Sequence, residues 1–280
     1  MKVILLFFLF LETSSLLLNG IDVSYCQQNI NWNLVAKEKH FAIIRAGFGI
    51  DGIDSYWEQN YKGAKKAGVK VGAYWYSYAE KVEDAKLEAK SFLKALRGKQ
   101  LEWPVYYDLE ENNIFVSQIH NEIAKVFCDI MEQNKYYCGI YSSSYPLTYN
   151  FNDDIKKKYT IWIAHYGVSK PSYKGDYDAW QKGTGIVSGI KGDCDIDEGY
   201  KDFEPIIKKL KLNGFGENVT PVDTTTPKTP NYEIYIVQDG DCLYTIAQKL
   251  GVSINHLVTV NNIKNPNLIH SGQKLKYVKD

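Results

Sequence analysis

The chain of 280 residues is 45% hydrophobic and 24% charged, the balance of a globular protein long enough for one large domain and a small one. Lys and Arg total 33, as do Asp and Glu, so there is neither net charge nor a basic stripe, which excludes nucleic-acid binding by phosphate neutralisation. Aromatics reach 14%, with 22 Tyr and 6 Trp; such rings suit the C–H faces of sugars, although a Tyr-rich core would give the same count.

The chain opens with Lys2 and an unbroken apolar run, Val3 to Leu11, followed by Glu12-Thr13-Ser14-Ser15. This resembles a secretory signal cleaved after Ser15, and it is too short to span a bilayer even with Leu16 to Leu18 added. Residues 1–18 are therefore set apart as a leader, and no stable membrane anchor is expected. The alternative is an upstream extension of a product that starts near Asn19, because the cleavage site lacks the usual small-residue pattern.

From Gly20 to about Leu212, short apolar strands alternate with amphipathic helices. Strand-like runs are Gly20–Val23, Phe41–Ala46, Val69–Tyr76, Trp103–Tyr107, Tyr137–Tyr141, Thr160–Ala164, Ala179–Gln181 and Cys194–Ile196. Helical patterns fall over Asn33–Lys39, Tyr56–Ala67, Val82–Leu96, Val116–Gln133 and Phe203–Leu210, with Gly68 and Gly98 as stop signals. Such alternation implies an α/β fold with a parallel sheet, and eight strand candidates imply a β/α barrel. The later third is short of helices, so the barrel should be irregular. The five cysteines (Cys26, Cys128, Cys138, Cys194, Cys242) form no metal-binding pattern and read mostly as buried thiols, with a Cys128–Cys138 bridge left open.

Residues 213–231, rich in Thr and Pro, cannot bury a core and read as a linker. Beyond it, residues 232–280 form a small unit. Tyr235-Ile236-Val237 is a strand, and the turn Asp239-Gly240-Asp241 opens a helix carrying Leu243, Ile246, Ala247 and Leu250. Val252 to Val260 gives a second helix with Ser253 as N-cap, and Lys274 to Tyr277 returns as a strand, making the order β-α-α-β.

The most chemically telling stretch is Asp108-Leu109-Glu110, after the strand-like Trp103 to Tyr107. Alternation along a strand puts Asp108 and Glu110 on one face, about 7 Å apart, with Leu109 opposite. Their mutual repulsion is useful where one carboxyl must stay protonated and the other ionised, as glycoside hydrolysis requires. By itself D-x-E is short, and a solvated strand end would read the same. Asp22 near the end of the first strand and Asp195 near the last strengthen it. Barrel chemistry sits at the C-terminal strand ends, and in a closed barrel the first and last strands are neighbours. Asp193 and Asp197, flanking Asp195, read as caps or surface acids.

These segments carry a resemblance. Gly20-Ile21-Asp22-Val23-Ser24, Ile44-Arg45-Ala46-Gly47, Val71-Gly72-Ala73-Tyr74, Asp108-Leu109-Glu110, Trp162-Ile163-Ala164, Trp180-Gln181 and Asp195-Ile196-Asp197, in that order over residues 19–212, resemble the glycoside hydrolase family 25 lysozymes. The tail, with Y-x-V-x-x-G-D, L-x-x-I-A and G-Q-K-L, resembles a LysM domain. The resemblance implies an irregular β/α barrel that cleaves the MurNAc–GlcNAc bond of peptidoglycan glycan strands, with Glu110 as general acid/base, Asp108 its partner, and Asp22 and Asp195 as flanking acids. Glu110 should be held protonated by its negative neighbours, with Asp108 and Asp195 anionic.

Tyr74, Tyr76, Trp162 and Trp180 are candidate sugar-stacking surfaces; Arg45 is either a carboxylate ligand or one half of a structural ion pair. In the tail, the resemblance implies that Gly240 and Asp241 face Asn265, Asn267 and Leu268 across a GlcNAc site, with Cys242 where such domains usually carry Thr or Ser. A monomer without metal or cofactor is expected, exported to the bacterial wall or released by a holin. The alternatives are a glycosidase of chitin-like GlcNAc oligomers and a non-catalytic peptidoglycan-binding protein.

Overall fold

The computed structural model describes residues 17–216 and 232–277, apart from 253, 262 and 264–267; most of the leader and of the linker lies outside these. Its elements run β1 (Leu18–Val23), α1 (Trp32–Val35), β2 (Phe41–Phe48), β3 (Gly52–Ile53), α2 (Trp57–Ala67), β4 (Lys70–Tyr76), α3 (Val82–Leu96) and β5 (Val105–Asp108). Then come α4 (Asn112–Val116), α5 (His120–Gln133), β6 (Cys138–Ser143), α6 (Ser144–Tyr149), α7 (Asp153–Lys158), β7 (Thr160–Ala164), β8 (Ala179–Ile186), β9 (Asp193–Gly199) and α8 (Glu204–Lys209).

Eight strands close a barrel in the order β1-β9-β8-β7-β6-β5-β4-β2, with β2 returning to β1 and β3 added at its edge. The expected irregular barrel is thus present, but the sheet is not wholly parallel. β9 runs antiparallel to both β8 and β1. The short connection from β8 to β9 has no crossover helix, and without one a strand can only return in the opposite sense. The expected helix from Val116 to Gln133 starts only at His120, as α5; Val116 instead ends the short α4, and Gln118 in the left-handed region at φ 57° parts the two. Helices α6 and α7 were not anticipated; α7 is short but well capped, Asn152 Oδ1 accepting from the Ile155 amide.

Alternation sorts each strand into an outer and an inner face. Outward residues such as Ile21, Ile44, Val71, Ala73, Trp75, Tyr107, Ile140 and Ile161 build the large core beneath the helices, joined there by Phe92 of α3 and Phe127 of α5. Gly68 ends α2 at φ 82°, its amide reaching Ala64 and Lys65 carbonyls, a glycine stop of the kind anticipated. Inward residues build a second core: Phe41, Ile43, Tyr74, Tyr106, Tyr141 and Trp162, closed below by Trp103, Phe203 and Ile207. Phe41 stacks on Trp103 at 4.0 Å, and a Cβ at Gly20 would lie 2.1 Å from the Phe41 ring. Gly20 therefore serves the aromatic plug, which shuts the barrel at one end and leaves the other as the cleft.

Two expected boundaries move. Leu18, assigned to the leader, pairs with Gly199 as the first residue of β1 and packs on the inner core. Asn213, assigned to the linker, is fully buried: its Oδ1 accepts from the Tyr137 amide at 2.7 Å and its Nδ2 donates to the Trp103 carbonyl at 2.9 Å. Both residues are tied to the barrel by backbone pairing or side-chain hydrogen bonds that composition does not reveal. The thiols of Cys128 and Cys138 are buried, unbridged and 3.2 Å apart; Cys194 is buried too, whereas Cys26 and Cys242 are exposed.

In the tail, β10 (Glu233–Ile236) pairs antiparallel with β11 (Lys274–Tyr277), and α9 (Leu243–Leu250) and α10 (Ile254–Asn261) lie between them in sequence. Val237, Leu243, Ile246, Ala247, Leu250, Leu257 and Leu275 make its core. Ser253, the expected N-cap, lies outside the described residues. Among the described residues no helix is long and apolar enough to cross a membrane.

Candidate active site

Asp108 is the last residue of β5, and its inward side chain is buried against the lumen. Glu110 lies two residues further on, past the strand, exposed on the rim; Leu109 points into the outer core. Tyr76, at the end of β4 and half-buried, donates to Glu111 Oε1 at 2.8 Å, which sets Glu111 beside the pair. Burial holds Asp108 well above the ordinary carboxylate range; Glu110 adds to this and the Arg45 guanidinium opposes it. Burial against the barrel wall raises Glu110 as well, with the Glu111 charge adding and the nearby Tyr76 hydroxyl opposing. Both carboxyls are thus raised, Asp108 at the foot of the cleft by its greater depth and Glu110 at the rim.

Asp22, on the inner face of β1, sits opposite Asp195 of β9, so closure of the barrel brings the two together as anticipated. The address is different, however. Because β9 runs backwards, Asp195 reaches the open end from the first half of its strand, not the last. Asp22 is 4% exposed and its Oδ2 accepts from Gln181 Nε2 at 2.6 Å. Gln181 Oε1 in turn accepts from the hydroxyls of Tyr141 at 2.7 Å and Tyr166 at 2.5 Å. The pairing register slips between Gln181 and Gly183, a bulge of the kind that re-aims side chains beside active sites. Burial raises Asp22, with Asp197 and Asp195 adding and Gln181 opposing; Asp195 is raised by burial.

Arg45 resolves as the structural ion pair. Its Nε donates to buried Asp54 Oδ2 at 2.8 Å, and its guanidinium lies 4.9 Å from the centre of the half-exposed Tyr25 ring. From there its charge acts on Asp108 without touching it.

The aromatic candidates divide. Trp162 is in the inner plug, 4.4 Å from the Tyr141 ring and 5.8 Å from that of Tyr74, and all three are buried. Tyr74 and Trp162 thus floor the cleft, and Tyr76 reaches its rim. Trp180 does not face it: alternation on β8 sends Ala179 and Gln181 inward, and Trp180 is buried in the outer core with its indole N–H on the His165 carbonyl at 2.9 Å. The inward phase of Asp195 also carries Asp197 into the lumen, where it is wholly buried, contrary to its reading as a cap or surface acid; Asp193 is exposed. Gln181 and Asp197 were legible only through strand phase, counted from the acids already placed.

In the tail, Gly240 turns at φ 86° and Leu268 is exposed. Asp241 Oδ2 is engaged locally, accepting from the Tyr235 hydroxyl at 2.7 Å and the Gln238 amide at 2.8 Å. Asn265 and Asn267 lie outside the described residues. Cys242 caps α9, and its amide donates to Thr245 Oγ1 at 3.0 Å, so the thiol stands where the helix needs a cap.

Comparison with known proteins finds relatives of both units. A model of the glycosyl hydrolases family 25 matches residues 21–190, and a LysM domain model matches residues 235–277. The chain is 32% identical to the autolytic lysozyme of Clostridium acetobutylicum over 65% of its own length and 55% of that protein's. It is 27% identical to Lysozyme M1 of Streptomyces globisporus over 63% and 65%. The match thus spans less than two thirds of either relative. Among solved structures, the CTP1L endolysin superposes with a TM-score of 0.58 at 28% identity, over 69% of each chain. The modular autolysin LytC from Streptococcus pneumoniae gives 0.59 at 27% identity, over 66% of this chain and 47% of that one.

Proposed function

Because the chain belongs to the glycosyl hydrolases of family 25, we propose that it is a lysozyme: a 1,4-β-N-acetylmuramidase that hydrolyses the MurNAc–GlcNAc bond of peptidoglycan, with its LysM tail holding it to the wall. The observation that carries this reading is the convergence of Asp22, Asp108, Glu110 and Asp195 on the open end of a barrel whose other end is plugged by aromatic rings. Support comes from relatives named as lysozymes and from LytC, solved in complex with a synthetic peptidoglycan ligand.

The chemistry follows from the placement of the acids. Both carboxyls of the Asp108/Glu110 pair are pushed upward, so the pair holds a proton where ordinary carboxylates have lost theirs. A sugar filling the cleft desolvates the rim carboxyl of Glu110 further, while Arg45 favours the anion at Asp108. Glu110 then protonates the leaving oxygen, and anionic Asp108 and Asp195 stabilise the positive charge growing at the anomeric carbon. Retention follows whether a carboxylate or the substrate's own N-acetyl group attacks, since Asp108 can serve as nucleophile or steady the acetamide. The acting place is the bacterial wall, reached through the leader or through a holin; mapping the mature N-terminus separates the two.

The test is Glu110→Gln in the whole protein. Turbidity loss of cell walls should fall by a factor of about 10²–10⁴, the worth of a positioned general acid, with the circular dichroism spectrum unchanged. Near-normal lysis by this variant overturns the assignment. Mass analysis of products from peptidoglycan and from chitin oligomers, run side by side, identifies the bond cut. Wild-type protein that releases no reducing ends from either substrate is a binding protein only.

A further inference from the structure

Asp197 belongs to the lumen but has no part in the chemistry described above. It lies opposite Gly20 of β1 and Gln181 of β8, and it has no exposed surface. Its Oδ1 accepts from the indole Nε1 of Trp162 at 2.8 Å. Its Oδ2 meets no N–H or O–H donor among the described residues. The nearest inward acid of the adjacent strand is Asp22, two residues beyond Gly20 on β1; it is buried as well, and its Oδ2 is already clamped by Gln181. A buried carboxylate oxygen without a donor is costly, and two facing carboxylates in a dry lumen are costlier still if both are ionised. One proton held between them satisfies the orphan oxygen and removes one of the two charges.

We propose that Asp22 and Asp197 share a proton across the lumen, and that Asp197 is thereby a positioning residue that fixes Asp22 beneath the sugar site. Trp162 holds the carboxyl of Asp197 and Gln181 that of Asp22, both on the inner face of the barrel. The pair then carries a single negative charge, which leaves Asp195 as the second anion of that wall. Burial, with Asp195 adding, pushes Asp197 up to about 8. The other titratable groups facing the pair are Tyr74 from β4, Asp108 from β5, Tyr141 from β6, Tyr166 beyond β7, Cys194 of β9 and the distant cation Lys39. As pH rises through the upper ionisation of the pair, both carboxylates become charged, repel, and displace Asp22.

The inference rests on the lysozyme reading for its catalytic consequence but not for the proton itself, and the experiment has an arm for each. Carbon-13 carboxyl titration of the full chain, labelled at aspartate, should show a coupled pair with one step far above the ordinary carboxylate range. Asp197→Asn should remove that step, because Asn cannot titrate and donates its Nδ2–H to Asp22. Asp22→Asn should remove it equally. Persistence of the raised step in the Asp22 signal of Asp197→Asn and in the Asp197 signal of Asp22→Asn overturns the proposal, whatever Asp108 shows and even if the protein cleaves no wall. In the kinetic arm, Asp197→Ala should lower kcat on soluble wall fragments by about tenfold or more with KM within about twofold, the split of a residue that positions rather than binds. Asp197→Asn should recover part of that loss and keep its activity to higher pH than wild type. An Asp197→Asn pH profile superimposable on that of wild type overturns the positioning role.

Discussion

Gln181 is the residue on which the geometry of the cleft turns. One amide joins Asp22 to the hydroxyls of Tyr141 and Tyr166, so three strands and the segment after β7 meet at a single side chain. Replacing it by Leu keeps the volume and removes every one of these bonds. Asp22 then keeps its burial but loses its donor, which costs about 1–3 kcal/mol and lets the carboxyl move. Gln181→Leu should therefore lower kcat on soluble wall fragments by about tenfold while KM changes little. A variant with wild-type kcat and a lowered Tm would show that Gln181 is structural only. The residue was within reach of the sequence, because Trp180-Gln181 is one of the segments that carry the family resemblance. Side-chain size drew attention to Trp180, whereas strand phase selects its neighbour. The same phase error left Asp197 outside: its charge suggested the surface, and only two-residue alternation from Asp195 places it within the lumen.

At the scale of elements, the strands of the first two thirds were legible because outward positions are β-branched or aromatic and each run ends in a turn or a glycine. β9 was legible as a strand but not in direction. Direction depends on the length of the connection and on which edge is free, and neither leaves a mark in hydrophobic period. Helix α3 shows a different kind of hidden constraint. Its Glu88, on the face packed against the barrel, is 1% exposed and accepts from the Tyr107 hydroxyl at 2.5 Å and the Tyr78 amide at 2.8 Å. Ser77 donates to the same tyrosine at 2.8 Å, so α3, β5 and the end of β4 are tied through one carboxyl. Burial pushes Glu88 up to about 8, the hydrogen bonds opposing. A carboxyl raised in the folded state stabilises below its unfolded value, and that contribution is lost as pH climbs towards the folded one. Tm of the wild type should therefore decline between about pH 5 and 8, and Glu88→Gln should decline less, narrowing or reversing any gap at the alkaline end. Parallel Tm curves for the two proteins would mean that Glu88 does not titrate in this window.

On the scale of the whole molecule, the proposed function assigns the two units different work. The barrel is plugged at one end by Phe41, Trp103 and Phe203 and open at the other, so a glycan strand can lie across the cleft but not thread it. A tail that holds the wall, as proposed, would raise the concentration of barrel there, since a second tethered site converts each rebinding into an intramolecular event. It needs no catalytic residue for this, only its own small core of Leu243, Ile246, Leu257 and Leu275 and an exposed edge that includes Leu268. Ending the chain at residue 231 should therefore leave kcat on soluble wall fragments within about twofold, because the acids all lie on the barrel. Lysis of intact walls at low enzyme concentration should fall by a factor of about 10–10², within the range that tethering supplies, and adding more enzyme should restore it. Equal lysis by the shortened and full chains at every concentration would show that the barrel finds the wall unaided. Loss of activity on the soluble fragments as well would place part of the catalytic surface in the tail.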